Sequence, residues 1–229
     1  MSLAAPEPRC IVAVTGINAE ARIAEGLGVR TIAGGGDARR LAAALEREFA
    51  RGAAAIISFG IAGGLAATAM PGTWLVADAV IARASRWPAD AAWAAALACR
   101  LPGAVRGDLA ASDTIISDTG DKHALGKATG ALAVDTESHV VAAFAVAHGV
   151  PFAVFRVIAD PATRALAPAA SHGMRSDGTI DQRAVLGAVA RSPGQLPLLM
   201  RNAMDVRTAL RALSRGRRLL GPGLGYPDL

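Results

Sequence analysis

Two segments of the chain place acidic side chains at the ends of apolar strands. The first is Ala133-Val-Asp-Thr-Glu-Ser-His-Val-Val-Ala, which sets Asp135 and Glu137 between a strand and a helix start. The second is Pro151-Phe-Ala-Val-Phe-Arg-Val-Ile-Ala-Asp160, an apolar strand that ends in a lone carboxyl group. The carboxyl edge of an open sheet is where α/β folds bind their ligands. A carboxylate at Glu137 can accept two hydrogen bonds at once, which suits a vicinal diol such as the 2′- and 3′-hydroxyls of ribose. A first-turn glutamate favoured by the helix dipole has the same appearance. Asp135 can equally be an N-cap. Asp160 has an ordinary pKa of about 3.9; burial at a strand end raises it, because desolvation disfavours the charged form. A protonated carboxyl there can give a proton to a leaving group, whereas an aspartate opening an Asp-Pro turn needs no such role.

Glycine-rich turns follow two further strands, Gly34-Gly-Gly36 and Phe59-Gly-Ile-Ala-Gly-Gly-Leu65. Neither matches the dinucleotide fingerprint. Both can bring backbone N–H groups close to an anion or a sugar with no Cβ in the way, or serve as tight turns with no ligand. Glu20, in Gly16-Ile-Asn-Ala-Glu-Ala-Arg22, follows the first strand on the same edge and can orient a water, hold a sugar, or act as a first-turn acid. No phosphate-binding Gly-rich loop with Lys-Ser/Thr and no His-Glu-x-x-His occurs. His123, His139, His148 and His172 have no metal-ligand spacing, and Cys10 and Cys99 have neither metal nor disulfide spacing. Cys10 reads as a small core residue, and a reducing cytoplasm fits.

The elements that must position these groups alternate between strand and helix, which predicts a single α/β domain with a central, mixed but mostly parallel sheet flanked by helices. Strands are expected at Cys10–Thr15, Val29–Ala33, Ala54–Phe59, Trp74–Ala82, Val105–Ala110, Leu132–Asp135 and Phe152–Ala159. Asp37 caps a helix that carries Leu41, Leu45 and Phe49 on one face and stops at Gly52. Further helices are expected at Ala89–Cys99, Ser138–His148, Ile180–Arg191 and Leu196–Leu219, with a flexible end from Gly221. The expected division is a domain over 9–192 and a basic helical extension with a flexible tail over 193–229.

With 52% hydrophobic and only 4% aromatic residues, a large core must be built from Ala, Val, Ile and Leu. No uninterrupted apolar run reaches the ~18 residues of a membrane span, and the N-terminus does not read as a signal peptide. The net charge of +5 lies wholly between Gln195 and Leu220, where six arginines face one aspartate. Arg207, Arg211 and Arg215 form one helical stripe beside Val206, Leu210 and Leu213. Such a helix can lie on an anionic membrane surface, or pack its apolar face on the domain and leave the arginines in water. Aromatics that could stack bases do not interleave with the arginines, which argues against nucleic acid as a partner.

Taken in order and spacing, Phe59-Gly-Ile-Ala-Gly-Gly-Leu, Val134-Asp-Thr-Glu and Arg156-Val-Ile-Ala-Asp resemble the purine nucleoside phosphorylase and methylthioadenosine/S-adenosylhomocysteine nucleosidase superfamily. The resemblance runs from Val12 to Ala162. Within the superfamily, Val134-Asp-Thr-Glu-Ser-His, the Asp-Pro-Ala after the last strand and the basic C-terminal extension resemble the hopanoid-associated phosphorylases. The resemblance implies phosphorolysis of adenosylhopane with release of adenine, inorganic phosphate as co-substrate, no cofactor or metal, and a homo-oligomer. It implies that Asp160 protonates adenine N7, that Glu137 grips the ribose hydroxyls, and that Gly60, Ala62 and Gly63 form the loop beside the sugar. Glu20 falls near the family's N-terminal catalytic glutamate. Thr136 stands where a Met usually lies beneath the ribose, and Ser117 lies near the place of a base-stacking Phe. Ile61 and Ala159 replace common hydroxyl or thiol residues. Arg39 and Arg40, just after a glycine-rich turn, are with Gly16 the candidates for holding phosphate. Two rival readings remain: a nucleosidase that uses water, and a non-catalytic adenine-nucleoside binding protein. A lipid-linked nucleoside would place the enzyme in the cytoplasm with contact to the inner face of the membrane through 195–220.

Overall fold

In the computed structural model, which describes residues 10–168, 179 and 181–227, the short apolar runs become strands of one sheet. β1 (Cys10–Thr15) lies between β2 (Val29–Ala33) and β3 (Ala53–Gly64), and both pairings are parallel. β3 then pairs in parallel with β8 (Phe152–Asp160) and, at its last two glycines, antiparallel with β7 (Ala133–Asp135). β4 (Trp74–Ala82) pairs with β8, with β6 (Val105–Ala111) and with the short edge strand β5 (Ser85–Pro88). Because β6 also pairs with β7, the strands β3, β8, β4, β6 and β7 close into a ring of pairings. The expected mixed, mostly parallel sheet is present.

Side-chain alternation along the strands feeds two cores, one on each face. Val12 and Val14 of β1 and Val154 of β8 pack with Leu41 and Leu45 of α2 (Ala38–Ala50) and Val141 of α5 (Ser138–His148). Ile11, Ala13, Phe59 and Phe155 face the other way, onto Trp93 and Leu97 of α3 (Ala91–Arg100) and Ala209 and Leu213 of α7 (Leu196–Leu220). Helix starts follow the expected chemistry: Asp37 accepts from the Arg40 N–H at 3.0 Å and Asp90 from the Trp93 N–H at 2.8 Å.

The sequence set no bounds for α1 (Asn18–Ala24), although Glu20 does lie in its first turn, and β5 and α4 (Thr119–Thr129) had no expected counterpart. α4 buries only Lys122, so it has no apolar stripe to announce it, although Asp118 caps its start and Gly130 ends it in the left-handed region. α6 (Gln182–Arg191) begins two residues after the expected start, Ile180, which with His172 lies outside the described residues.

The C-terminal helix α7 is built into the fold. The Trp74 indole N–H donates to the Ala212 carbonyl at 2.9 Å, and Arg217 turns inward to donate to the carbonyls of Ala24 and Gly221. Val206 and Leu210 pack on the core, while Arg207, Arg211 and Arg218 stay exposed and Arg215 stacks over the Trp74 ring. The expected flexible end is instead packed through Tyr226. Leu224 is fully buried, its carbonyl accepts from the Trp93 indole, and the Tyr226 ring meets the Trp93 ring edge-on at 4.8 Å. Turn-forming glycines misled the reading, because here they let the chain double back over an aromatic pair.

Gly216 of α7 sits so close to β8 that a Cβ there would lie 2.7 Å from the Phe155 ring. Gly216→Val is expected to destabilise the protein by about 1–3 kcal/mol through overpacking. A urea midpoint equal to that of the unsubstituted protein would show that α7 is not held against β8.

Candidate active site

The residues flagged in the sequence meet where β3, β7 and β8 converge. β7 runs against β3, so Asp135 arrives from the opposite direction to Asp160 instead of sharing an open carboxyl edge with it. Arg156 of β8 lies in register with Gly60, and Asp160 with Gly63 after a bulge. The ring of strands therefore brings three ends of chain over the same few glycines. Gly60 holds φ at 152°, and a Cβ there would fall 2.6 Å from an Arg156 nitrogen and 2.7 Å from the Glu20 carboxyl group. Only glycine lets these two side chains pass.

A cavity of about 480 Å³ opens over this point. One end is polar, lined by Glu20, Asp135, Thr136, Glu137 and Arg156, with Asp160 beside Gly63. The rest is mostly apolar: Ile115 and Ile116 from the segment before α4, Leu166 after β8, and Leu199, Ala203 and Val206 of α7, with Thr114 and Asn202 as its polar members. Among the described residues, Arg156 is the only cationic side chain in the lining.

Arg156 is fully buried and heavily committed. Its Nη2 donates to Asp135 at 2.6 Å and to Ser58 at 2.7 Å, and its Nη1 donates to the Ile61 carbonyl at 3.3 Å. Nη2 is also 3.6 Å from Glu137, and Nε has no partner among the described residues. Asp135 also accepts from the backbone N–H and hydroxyl of Ser138; the N-cap position of α5 is Glu137, so Asp135 supports the helix start from two residues before the cap while it serves as the counter-ion of the arginine.

Glu20, on α1, accepts from the N–H groups of Gly16, Ile17 and Ile61 at 2.7, 3.0 and 2.7 Å. Burial pushes its carboxyl above the usual range, against the pull of Arg156 and these N–H groups. Glu137 receives the Thr136 hydroxyl at 2.6 Å. Burial pushes it up to about 7, with Arg156 opposing and Asp135 and Glu20 adding to the rise. A Cβ on Gly16 would lie 3.4 Å from both Glu137 oxygens and from Oε2 of Glu20, so the two carboxyl groups flank one small space. Burial likewise raises Asp160, and Lys122, hydrogen-bonded to it, opposes the rise.

The structure thus brings together Gly16, Glu20, Ala62, Gly63, Thr136, Glu137 and Asp160 in one lining. Gly60 lies behind Glu20 and Arg156. Ser117 is outside the lining and uses its carbonyl to accept from the Leu166 N–H. Arg39 and Arg40 are exposed on the first turn of α2 and are not among the residues that line the cavity. Sequence reasoning assigned no role to Arg156 or Lys122. Arg156 had a signal: a charge inside an otherwise apolar strand must be paired when buried. Lys122 had none in the sequence. Among the described residues, no group of three or more His, Cys, Asp or Glu is arranged to hold a metal ion.

The Glu137 shift has a consequence for stability. A carboxyl whose folded pKa is raised stabilises the fold below its ordinary value, near 4.5, and loses that contribution as pH rises through about 7. Glu137→Gln does not titrate. Its melting temperature is therefore expected to gain on that of the unsubstituted protein between pH 5 and pH 8.5, by on the order of 1–3 kcal/mol of stability. A difference that does not change with pH would mean that Glu137 is not held in a charge-averse site.

The fold agrees with solved structures of low sequence identity. A Helicobacter pylori 5′-methylthioadenosine/S-adenosylhomocysteine nucleosidase variant with 5′-methylthioadenosine in its active site is 15% identical, with a TM-score of 0.62 over 91% of this chain and 98% of that one. The nucleosidase of Streptococcus pneumoniae with a transition-state inhibitor is 16% identical, with a TM-score of 0.61 over 92% and 99%. A Borrelia burgdorferi protein of the same description, bound to adenine, is 14% identical, with a TM-score of 0.62 over 91% and 99%. No curated protein sequence matches the chain. The sequence profile of the phosphorylase superfamily matches residues 28–191, a stretch that carries β3, the Asp135–Glu137 junction and the β8 acid, and the chain belongs to that superfamily.

Proposed function

We propose that the protein cleaves the N-glycosidic bond of an adenine nucleoside whose 5′ position carries a bulky apolar group. The observation that carries this reading is one cavity lined by both a buried acid with raised proton affinity, Asp160, and a buried carboxyl group suited to a ribose diol, Glu137. The solved relatives that hold methylthioadenosine or adenine support the adenine assignment. As the C1′–N9 bond breaks, N9 keeps the bonding pair and the Asp160 proton passes to the base. The positive charge that grows on the sugar is met by an acidic surround.

Water is the nucleophile this surround favours. Glu20 and Glu137 flank one space, and the described lining offers a phosphate dianion no cation beyond Arg156, which Asp135 already pairs. An attacking water can pass its proton to Glu20, which sits deep enough to hold it. Phosphorolysis is the second reading. What favours it is Arg156 itself, a permanent cation in the lining with its Nε without a partner among the described residues.

The apolar half of the cavity supports a large 5′ substituent. Ala203 and Val206 line the cavity on one side and, on the other, an open depression along α7 with Leu210 and Arg207. Met200 and Met204, 60% and 67% exposed, lie on the same stretch of helix. A hopanoid body, as the sequence resemblance suggests, would follow this path, and the exposed arginines of α7 would meet anionic lipid around it. An inner-membrane surface is then where the substrate is found, with further copies of the chain completing an oligomer.

The full chain should release adenine from 5′-methylthioadenosine and from a hopanoid nucleoside. Chromatography of the base and mass spectrometry of the sugar, with and without phosphate, check the reading. A free ribosyl product at a phosphate-independent rate is expected; a sugar 1-phosphate made only with phosphate would establish the second reading. No adenine from any nucleoside would leave a binding protein. Asp160→Asn should lower release at least ~100-fold, given that general acid catalysis contributes roughly 10²–10⁴-fold. Ala203→Trp should raise KM for the hopanoid nucleoside more than for methylthioadenosine; equal effects would remove the α7 path from the argument.

A further inference from the structure

Lys122 is a fully buried lysine, and its environment is unusual for one. It comes from α4, the helix with no apolar stripe, and it is the only residue that helix buries. The ammonium has three N–H donors and finds three acceptors: a carboxylate oxygen of Asp160, the Pro161 carbonyl at 3.2 Å and the Arg164 carbonyl at 2.8 Å. A buried ammonium survives only where it is paired and its hydrogens are satisfied. Lys122 meets both conditions, and all three partners lie in the chain at and just after the acid.

We propose that Lys122 is the positioning residue of the leaving-group acid. Its ammonium fixes the Asp160 side chain against the cavity wall, clamps the chain just beyond it, and neutralises the carboxylate that forms when Asp160 gives up its proton. This rests on the glycosidic-cleavage reading. In that step the Asp160 O–H bond breaks and an N–H bond forms on the departing base. The negative charge left on Asp160 appears beside the ammonium, and a solvent proton restores the acid after the base leaves.

The same segment is held from other sides. Asn202 of α7 accepts from the Ala167 N–H at 2.8 Å and donates to the Ala165 carbonyl at 3.4 Å, and Arg164 pairs with Asp205. These contacts secure Leu166 at the apolar wall, so the segment has enough anchors without Lys122. Only Lys122 among them touches Asp160. The charged groups that face Asp160 are Lys122 from α4 and Arg164 from the segment after β8. Glu20, Asp135, Glu137 and Arg156 share its cavity.

The test is steady-state adenine release from 5′-methylthioadenosine across pH by the full chain, by Lys122→Met and by Lys122→Arg. Misplacing a catalytic group by about 1 Å can cost ~10²-fold, so kcat of Lys122→Met should fall ~10–100-fold, with KM within ~3-fold. The acid works in its protonated form, so activity is lost as pH rises through its pKa. Lys122 opposes the upward shift that burial gives Asp160. Without the ammonium, the alkaline limb of the pH profile should move to higher pH, and Lys122→Arg should bring it back towards the original position. If Lys122→Met does not fold, as judged by circular dichroism, Lys122→Gln keeps N–H donors for the carbonyls and removes only the charge, and the same displacement is expected. An unmoved alkaline limb in the folded neutral variant overturns the proposal, even if kcat falls. Absence of adenine release by the unsubstituted chain would instead sink the cleavage reading beneath it, and full activity in Asp160→Asn would remove Asp160 as the acid, so the failures are distinguishable.

Discussion

The centre of this molecule is a single cation, Arg156, held in the middle of its most enclosed strand. A guanidinium with no solvent contact costs several kcal/mol to desolvate. It remains charged because Asp135 grips it, Ser58 and the Ile61 carbonyl each accept one further hydrogen, and Glu20 and Glu137 stand close by. This one pairing ties together β8, which carries the arginine, β7, which ends in its counter-ion, and β3, which gives way to it at Gly60. The site is therefore a property of how three strands meet, and its acids cannot be rearranged one at a time.

The cluster around Arg156 holds more negative than positive charge in a place that water barely reaches. Burial is what pushes Glu137 up to about 7, with Asp135 and Glu20 adding to the rise, and burial lifts Glu20. Taken alone, the charge imbalance is a cost to stability. In the proposed reaction it would become an advantage, because sugar hydroxyls would satisfy the carboxylates and the cationic character of the breaking bond would offset their charge. Asp160 stands outside this cluster with a cation of its own, Lys122, so the proposed proton donor and the carboxyl groups proposed to face the sugar have separate counter-ions. Separating the environments of titratable groups is how one cavity holds acids with different tasks at one pH.

Much of this was legible in the sequence, for identifiable reasons. Strands such as Trp74–Ala82, apolar but for Asp78, and helices such as Ser138–His148 carry strong apolar patterns and clear stops, and their bounds came out as expected. Asp135, Glu137 and Asp160 were visible because each interrupts a strand end. Lys122 was not, because its value lies in a contact with Asp160, 38 positions away, on a helix whose own pattern is polar. Arg39 and Arg40 are close in sequence to a glycine turn but are not in the cavity lining, because closeness to a turn does not say which residues line a site built by β3, β7 and β8. The end after Gly221 looked loose because turn residues signal a break, not whether the next residues find an aromatic pocket. The closure of the sheet was invisible for a similar reason. β7 contributes only a few residues to it, and their direction is set by partners far along the chain.

That closure also decides how the sheet avoids sticking to others. Unpaired strand edges are templates for aggregation. A strand rich in Val, Ile and Phe such as β8 would be a dangerous edge, yet it has β3 on one side and β4 on the other. The true margins are β2 and β5. β5 is four residues long, ends in a proline, and carries Arg86, which is engaged with Asp108; β2 carries Arg30, paired with Glu48. This buried apolar strand is also the one that carries the proposed acid, and local opening of the ring would disarm the site and expose the strand in the same event.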